Sequence, residues 1–343
     1  MVPINPICPG CGAPLQSHSP TELGYRQRPD QPVCQRCFRL KHYGDTDRFE
    51  QSNVSLAQIL REVRAIAGTL VVLIDLVNFD PQMLDVLDEQ LFDRPFVLVF
   101  TKRDLLPVTL SQYKIAQMVR RHLKGRRLRV LESMTVSVRD RASIADLSEY
   151  LAELNDDILI AGMVNAGKSS LINALLGTEQ LTVSPHAHTT LGVQALPFRG
   201  KTIYDTPGFH IVSAVEGLSV QDAAPYSITT PIKPVTFQIT SEQTFILGDL
   251  AAVRIVPVDS GSVTVYASTR CPMHRSGPRA EAYLEKHHSD LANLESLTLG
   301  EDLDEAWDVV ITGLGWVSLK GRFTSVSVLS QHPECCSLRK ALL

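Results

Sequence analysis

Gly162, Gly167, Lys168 and Ser169 satisfy the spacing G-x-x-x-x-G-K-[ST] within ILIAGMVNAGKSSLINALL, residues 158–176. Glycines at these places let backbone N–H groups turn toward the oxygens of a phosphate chain at the positive end of a helix. In such a loop Lys168 neutralises the outer phosphates and the Ser169 hydroxyl binds Mg²⁺. Asn165, Ala166 and Ser170 belong to the same nucleotide-binding stretch. Further on, YDTPGFH (204–210) places Asp205 to hold Mg²⁺ through water. There Gly208 can present its N–H to a terminal phosphate, where a side chain would crowd. Between these two segments HAHTTLG (186–192) offers Thr189 and Thr190, and Thr190 is the favoured switch threonine to complete Mg²⁺ coordination.

A nucleotide site also needs a group that reads the base, and nothing of that kind lies beyond residue 176. It lies upstream. FVLVFTKRDLLP (96–107) is an apolar strand running into Thr101, Lys102, Arg103 and Asp104. A carboxylate there accepts from the N1–H and the 2-amino group of guanine. Adenine offers neither donor and would leave the carboxylate unpaired. Thr101 stands where asparagine is more usual. TVSVRDRASIADL (135–147) then puts Ser137 and Val138 at a strand end, where a backbone N–H can meet the guanine O6. Base-reading elements thus precede phosphate-binding ones, the order of a circularly permuted P-loop GTPase domain taking GTP or GDP with Mg²⁺. The join is short: a helix expected over 143–154 passes through Asn155, Asp156 and Asp157 into the phosphate-loop strand. Close chain termini permit such joins. The same permutation leads the sensor loop directly into the C-terminal part of the chain, so nucleotide state is expected to pass there through residues 209–225.

CPGCG (8–12) and CQRCF (34–38) set Cys8, Cys11, Cys34 and Cys37 in two C-x2-C pairs. Two such knuckles suit a closed, tetrahedral, structural Zn²⁺ site. The seven cysteines of the chain read as metal ligands and ordinary thiols in a reducing cytosol, more than as a disulfide framework.

The elements that must position these groups fall into three zones of the 343-residue chain. Residues 1–50 form the four-cysteine module. Residues 51–212 alternate apolar strands with amphipathic helices, the pattern of an α/β domain with a mainly parallel sheet. Strands are expected at 69–75, 96–101, 130–137, 157–162 and 202–205, and Ser55 caps a helix that sets Leu56, Ile59, Leu60, Val63 and Ile66 on one face. Residues 213–343 read as a β-rich α+β domain. RIVPVDSGSVTVYAS there is expected to turn at Asp259–Ser262, and a helix is expected near 279–288. No apolar run approaches the roughly 20 residues of a membrane helix, and Cys8 arrives too early for a signal peptide. A net charge of −4 leaves nucleic-acid binding to local patches such as RRHLKGRRLR (120–129).

With these residues in place, the chain resembles the YqeH family of circularly permuted GTPases. CPGCGAPLQ, CQRCFRLKHY, TKRDLLP, GMVNAGKSSLINAL, TTLG, DTPG, CPMHR and GLGWV carry the resemblance. It implies a cytoplasmic GTPase assisting assembly of the small ribosomal subunit, with rRNA or a ribosomal protein as partner and neither membrane nor DNA expected. Asn165 resembles the asparagine that seats K⁺ in potassium-activated relatives. Phe209 replaces any water-orienting glutamine, so slow hydrolysis, faster in K⁺ than in Na⁺, is the expectation, with Lys168, Thr190, Gly208 and Asn165 as its catalytic groups. His186-Ala187-His188 departs from the Pro-Gly that relatives tend to carry before the threonines.

Overall fold

LVVLI and FVLVF become two adjacent interior strands of a mainly parallel sheet. In the computed structural model, which describes residues 6, 15–18, 25–32, 34–35, 55–63, 66–91, 94–177, 184–185, 193–209, 211–277, 280–288, 291 and 294–342, β1 is Thr69–Asp75 and β2 is Phe96–Thr101. Every residue of β2 and all but the first of β1 are buried. Unbroken apolar strands of this kind require cover on both faces. β3 (Val130–Thr135), β4 (Ile158–Gly162), β5 (Ser184–Pro185), β6 (Gln194–Phe198) and β7 (Lys201–Asp205) complete a sheet in the order β3-β2-β1-β4-β7-β6-β5. Its first five members run parallel, whereas β6 and β5 pair antiparallel. The strand expected to reach residue 137 ends at Thr135, which leaves Ser137 and Val138 in the loop beyond it.

Helices α1 (Leu56–Glu62), α2 (Gln82–Leu91), α3 (Gln112–Leu123), α4 (Arg141–Glu153) and α5 (Lys168–Leu176) alternate with these strands. Ser55 caps α1 in a reciprocal box: its hydroxyl accepts from the Gln58 N–H at 3.2 Å, and the Gln58 side-chain Oε1 accepts from the Ser55 N–H at 2.7 Å. Such a cap contributes about 1 kcal/mol. Leu56, Ile59 and Val63 are buried along the expected face, with Leu60 and Ile66 packed beside them. The turn from α4 into β4 is held by Asp157. Its carbonyl accepts from the Thr69 N–H and its carboxylate from the Thr202 N–H, each at 2.8 Å. One residue thereby registers β1 and β7 on either side of the phosphate-loop strand.

The second sheet is antiparallel throughout. β8 (Val235–Ile239), β9 (Gln243–Leu247), β10 (Ala251–Ala267), β11 (Met273–Ser276), β12 (Leu297–Leu303), β13 (Trp307–Ile311), β14 (Gly315–Ser330) and β15 (Cys336–Lys340) take the order β11-β9-β10-β14-β13-β15, with β8 added on β10 and β12 on β14. Two short helices, α6 (Val220–Ala223) and α7 (Ala280–His287), belong to this half of the chain. The turn expected at Asp259–Ser262 does not form. β10 continues through it, and the pairing with β14 shifts at Val256/Pro257 and at Pro257/Gly261. Asp, Ser and Gly mark a bulge as readily as a turn, because both need unpaired backbone. A Cβ on Gly261 would lie 2.7 Å from the Phe323 ring, so the glycine admits that ring against the bulged strand.

The two sheets meet through a polar contact in an apolar setting. Arg339 and Asp308 form a fully buried ion pair at 3.2 Å. The Arg339 guanidinium also donates to the carbonyl of Phe79, just beyond β1, and lies over the Trp316 ring. Trp316 stacks on Tyr266 at 4.5 Å, and both join the core of the parallel sheet. Among the described residues no helix is long and apolar enough to cross a membrane.

Candidate functional site

The phosphate-loop residues sit at the C-terminal edge of the parallel sheet, between β4 and α5. Gly162 closes β4, and a Cβ there would come within 2.9 Å of Leu73 Cβ on β1. Asn165 and Gly167 take left-handed φ values of 64° and 85°. These turn the loop back so that α5 starts at Lys168 with Gly167 as its N-cap. Asn165, Ser169 and Ser170 are exposed, whereas Ala166 is buried.

The DTPG segment is stitched directly onto this loop. The Phe209 N–H donates to the Gly162 carbonyl and the Val164 N–H to the Phe209 carbonyl, both at 3.0 Å. Gly208 lies so close that a Cβ would sit 3.1 Å from Val164 Cα. Thr206 anchors the turn through its N–H and hydroxyl to the Ile160 carbonyl. Lys168 Nζ pairs with the Asp205 carboxylate, and both side chains are nearly buried. Burial pushes the Asp205 carboxyl above the ordinary carboxylate range, and the Lys168 ammonium offsets only part of that. Phe209 itself is buried in the core, so its side chain does not face a reacting water.

The TKRD residues arrive from β2, two strands away. The Thr101 hydroxyl donates to the Ala166 carbonyl at 2.6 Å, tying this segment to the phosphate loop across 65 residues of sequence. Lys102, at φ 62°, sends its ammonium to the Asp75 carboxylate at 2.7 Å. Asp104 accepts from the Ser137 hydroxyl at 2.7 Å and faces the Arg139 guanidinium at 3.5 Å. Ser137 is itself fixed by its N–H to the Ser143 hydroxyl at 3.1 Å. The adjacent Val138 is half exposed at 46%. The two candidate base-reading loops therefore stand side by side.

Three participants escaped the motifs. Asp75 ends the apolar run LVVLID as a buried carboxylate, and a single acid closing a buried strand was the available signal. Asn78, whose amide donates to the Asp75 carboxylate at 2.8 Å, and Arg139 carried no signal, since polar residues after strands are ordinary. Part of the basic run proves structural. Arg126 turns inward to Asp85 and to the carbonyls of His122 and Pro81, while Arg120, Arg121 and Lys124 stay exposed.

Thr189, Thr190 and His210 lie outside the described residues, as do Cys8, Cys11 and Cys37. Cys34 is described and buried. Among the described residues no group of three or more His, Cys, Asp or Glu side chains is arranged to hold a metal ion.

Comparison with known proteins finds GTPases. A family model described as "50S ribosome-binding GTPase" matches residues 157–229, which include the phosphate loop and the DTPG turn. The chain is 26% identical to a Bacillus subtilis protein named YqeH, over 98% of this chain and 99% of that one. It is 27% identical to the chloroplastic GTP-binding protein Brassinazole Insensitive Pale Green 2 of Arabidopsis thaliana, over 84% of this chain and 53% of the relative. The tRNA modification GTPase MnmE of Dichelobacter nodosus is 27% identical over 60% of this chain and 43% of its own.

Proposed function

We propose that this chain, a GTPase of the YqeH family, is a circularly permuted GTP-hydrolysing switch that assists small ribosomal subunit assembly. One observation carries the permuted reading: the Thr101 hydroxyl on the Ala166 carbonyl sets an upstream base-reading tetrad against a downstream phosphate loop. The chain then divides into a cysteine module over 1–50, a GTPase domain over 51–212 and an interaction domain over 213–343.

The residues present suit GTP and Mg²⁺. Bound nucleotide would supply the phosphoanhydride, with Mg²⁺ polarising it. Lys168 would exchange its Asp205 partner for phosphate oxygens, freeing the Asp205 carboxylate to hold a metal-bound water. Ser169 would ligate the metal, together with Thr190. The Gly208 N–H would meet the terminal phosphate, and Asn165, exposed on the loop, would seat K⁺. Asp104, steadied by Ser137 and Arg139, would accept from guanine while Val138 offers its N–H to O6. Cys8, Cys11, Cys34 and Cys37 would hold structural Zn²⁺, which metal analysis of the purified protein tests at one equivalent per chain. A cytoplasmic setting accords with this role.

The nucleotide state would pass through residues 209–225. That segment borders an apolar cavity of about 300 Å³ lined by Leu56, Met83, Leu87, Phe209, Ile211 and Val212, which leaves room for it to shift. The Ala214 N–H then donates to the Thr312 carbonyl of the second sheet at 2.9 Å. A second reading, a nucleotide-gated RNA-binding module with negligible turnover, is favoured by the buried Phe209 side chain, which cannot orient water.

The deciding experiment is cosedimentation with separated ribosomal subunits in K⁺ buffer, with GDP, a non-hydrolysable GTP analogue or no nucleotide. Small-subunit binding that changes with nucleotide supports the assembly switch. Identical sedimentation in all three states refutes it. Hydrolysis measured in K⁺ and Na⁺ separates the two readings: a faster rate in K⁺ is expected, and no measurable turnover in either salt would select the binding module.

A further inference from the structure

A chain of polar contacts leads from the base-reading loop to the second sheet by a route separate from the sensor segment. Lys102 Nζ lies 2.7 Å from Asp75 Oδ2. The same carboxylate accepts from the Asn78 amide at 2.8 Å and, through Oδ1, from the Val77 N–H at 2.9 Å. Asn78 Oδ1 in turn accepts from the Gly313 N–H at 2.9 Å. Gly313 belongs to the tight turn between β13 and β14, 235 residues further along the chain.

Chemistry fixes the sense of every link. The Gly313 amide can only donate, and the Asp75 oxygen that receives the Lys102 ammonium is an acceptor, so the Asn78 side chain has one productive orientation. Aspartate at position 78 would set two carboxylates together, and leucine would break both contacts. Asp75 is buried, so its partners cannot be replaced freely by water, and displacing one must be felt by the others.

The Gly313 turn is also the point that the sensor segment reaches. The Thr312 carbonyl accepts from Ala214, and a Cβ on Gly313 would lie 3.1 Å from Ser213 Cβ and 3.4 Å from Val215 Cγ2. At φ 93° the turn itself is restricted to glycine. One hairpin turn is thus gripped from both halves of the candidate nucleotide site.

We infer that Asn78 is a positioning residue that couples the guanine-reading Lys102 loop to the β13–β14 turn, so that guanine nucleotide affinity and the state of the second sheet depend on one another. This rests on the guanine-nucleotide reading of the site above. Thermodynamic linkage requires the effect to run both ways: whatever engages the second sheet changes nucleotide affinity by the factor with which nucleotide changes that engagement.

The test uses the full chain and GDP as probe. GDP affinity is measured for wild type, Asn78→Leu and the near-isosteric Asn78→Asp, alongside amide hydrogen exchange of the peptide spanning 310–316 with and without GDP. The expected result is a GDP affinity weakened about 3- to 10-fold in both variants. In wild type GDP should slow exchange at the turn, and in the variants that response should be lost. A merely structural role for Asn78 would shift the unfolding midpoint without altering the GDP response of the turn. GDP affinity within 1.5-fold of wild type in both variants, or an unchanged exchange response in the folded Asn78→Asp protein, overturns the coupling. Failure of wild type to bind GDP at all would instead overturn the nucleotide reading, and the coupling with it.

Discussion

Replacing Thr101 by valine removes one oxygen and keeps the shape of the side chain. In the structure that oxygen donates to the Ala166 carbonyl at 2.6 Å, with the Ile74 carbonyl more distant at 3.4 Å. A hydroxyl has one proton, so the shorter contact takes it. Thr101 is 5% exposed and Ala166 1% exposed, so valine would leave a buried carbonyl without its donor. A lost hydrogen bond of this kind costs about 1 kcal/mol, and an unsatisfied buried acceptor about 1–3 kcal/mol. A combined penalty near 2 kcal/mol, falling on the registration of the base-reading and phosphate loops, corresponds to GDP binding weaker by about 30-fold. Titration calorimetry with GDP on wild type, Thr101→Val and Thr101→Ser is the assay, with thermal unfolding to separate affinity from stability. Serine keeps the hydroxyl and should bind within a few-fold of wild type. The reasoning is refuted by a valine variant that binds GDP within twofold of wild type at an unchanged unfolding midpoint. It is equally refuted by a serine variant as weak as valine, which would assign the effect to the methyl group.

Two further outcomes concern the junction of the sheets. Arg339→Met strands the buried Asp308 carboxylate and should destabilise the protein by about 3–5 kcal/mol in urea unfolding, with Arg339→Met/Asp308→Leu recovering much of it. Burial already raises the Asp308 carboxyl. In the single variant, where the folded value rises further above the unfolded one, the loss should be smaller at pH 5 than at pH 8. His122 packs on Phe79, and burial, followed by the guanidiniums of Arg339, Arg126 and Arg121, lowers its imidazole to about 4. Its folded value lies below the unfolded value of about 6.5, so its contribution is complete above pH 6.5 and is lost as pH falls through about 4. Discounted for the solvent on its open side, wild type should lose about 1 kcal/mol more than His122→Gln between pH 7 and pH 5. Parallel pH dependence of the two proteins in urea unfolding would remove His122 from that role.

The parallel half of the fold was legible because its signals are local. LVVLI and FVLVF are too apolar for any place but the interior of a covered sheet, and β1 and β2 contain those runs with at most one further residue at either end. Ser55, Gly162, Gly167 and Gly208 each answer a demand of the backbone beside them: a cap, a close strand, a left-handed turn and a tight approach. The motifs of the candidate site were readable for the same reason, since phosphate and base contacts come from short stretches at element ends. The bulge in β10 was misread because Asp259, Ser260 and Gly261 satisfy a turn and a bulge alike. Only the partner strand β14 and the Phe323 ring decide between them.

What the chain's local chemistry could not contain is who meets whom across the molecule. Nothing near residue 339 announces an arginine that will be fully buried against Asp308 and the Phe79 carbonyl. An ion pair of that kind is tolerable only where tertiary packing brings several partners to it at once. Nothing near Asn78 announces Gly313 either. The sequence by itself determined which segments could cradle phosphate, read a base or line a core, because those are properties of a few adjacent residues. The tertiary structure alone decided that Thr101 would rest on Ala166, that Lys102 would be held by Asp75, and that one hairpin turn would touch both halves of the site. These are meetings between groups tens to hundreds of residues apart; strand pairing within the parallel sheet brings the first two within hydrogen-bonding distance, and the packing of the two sheets brings the third.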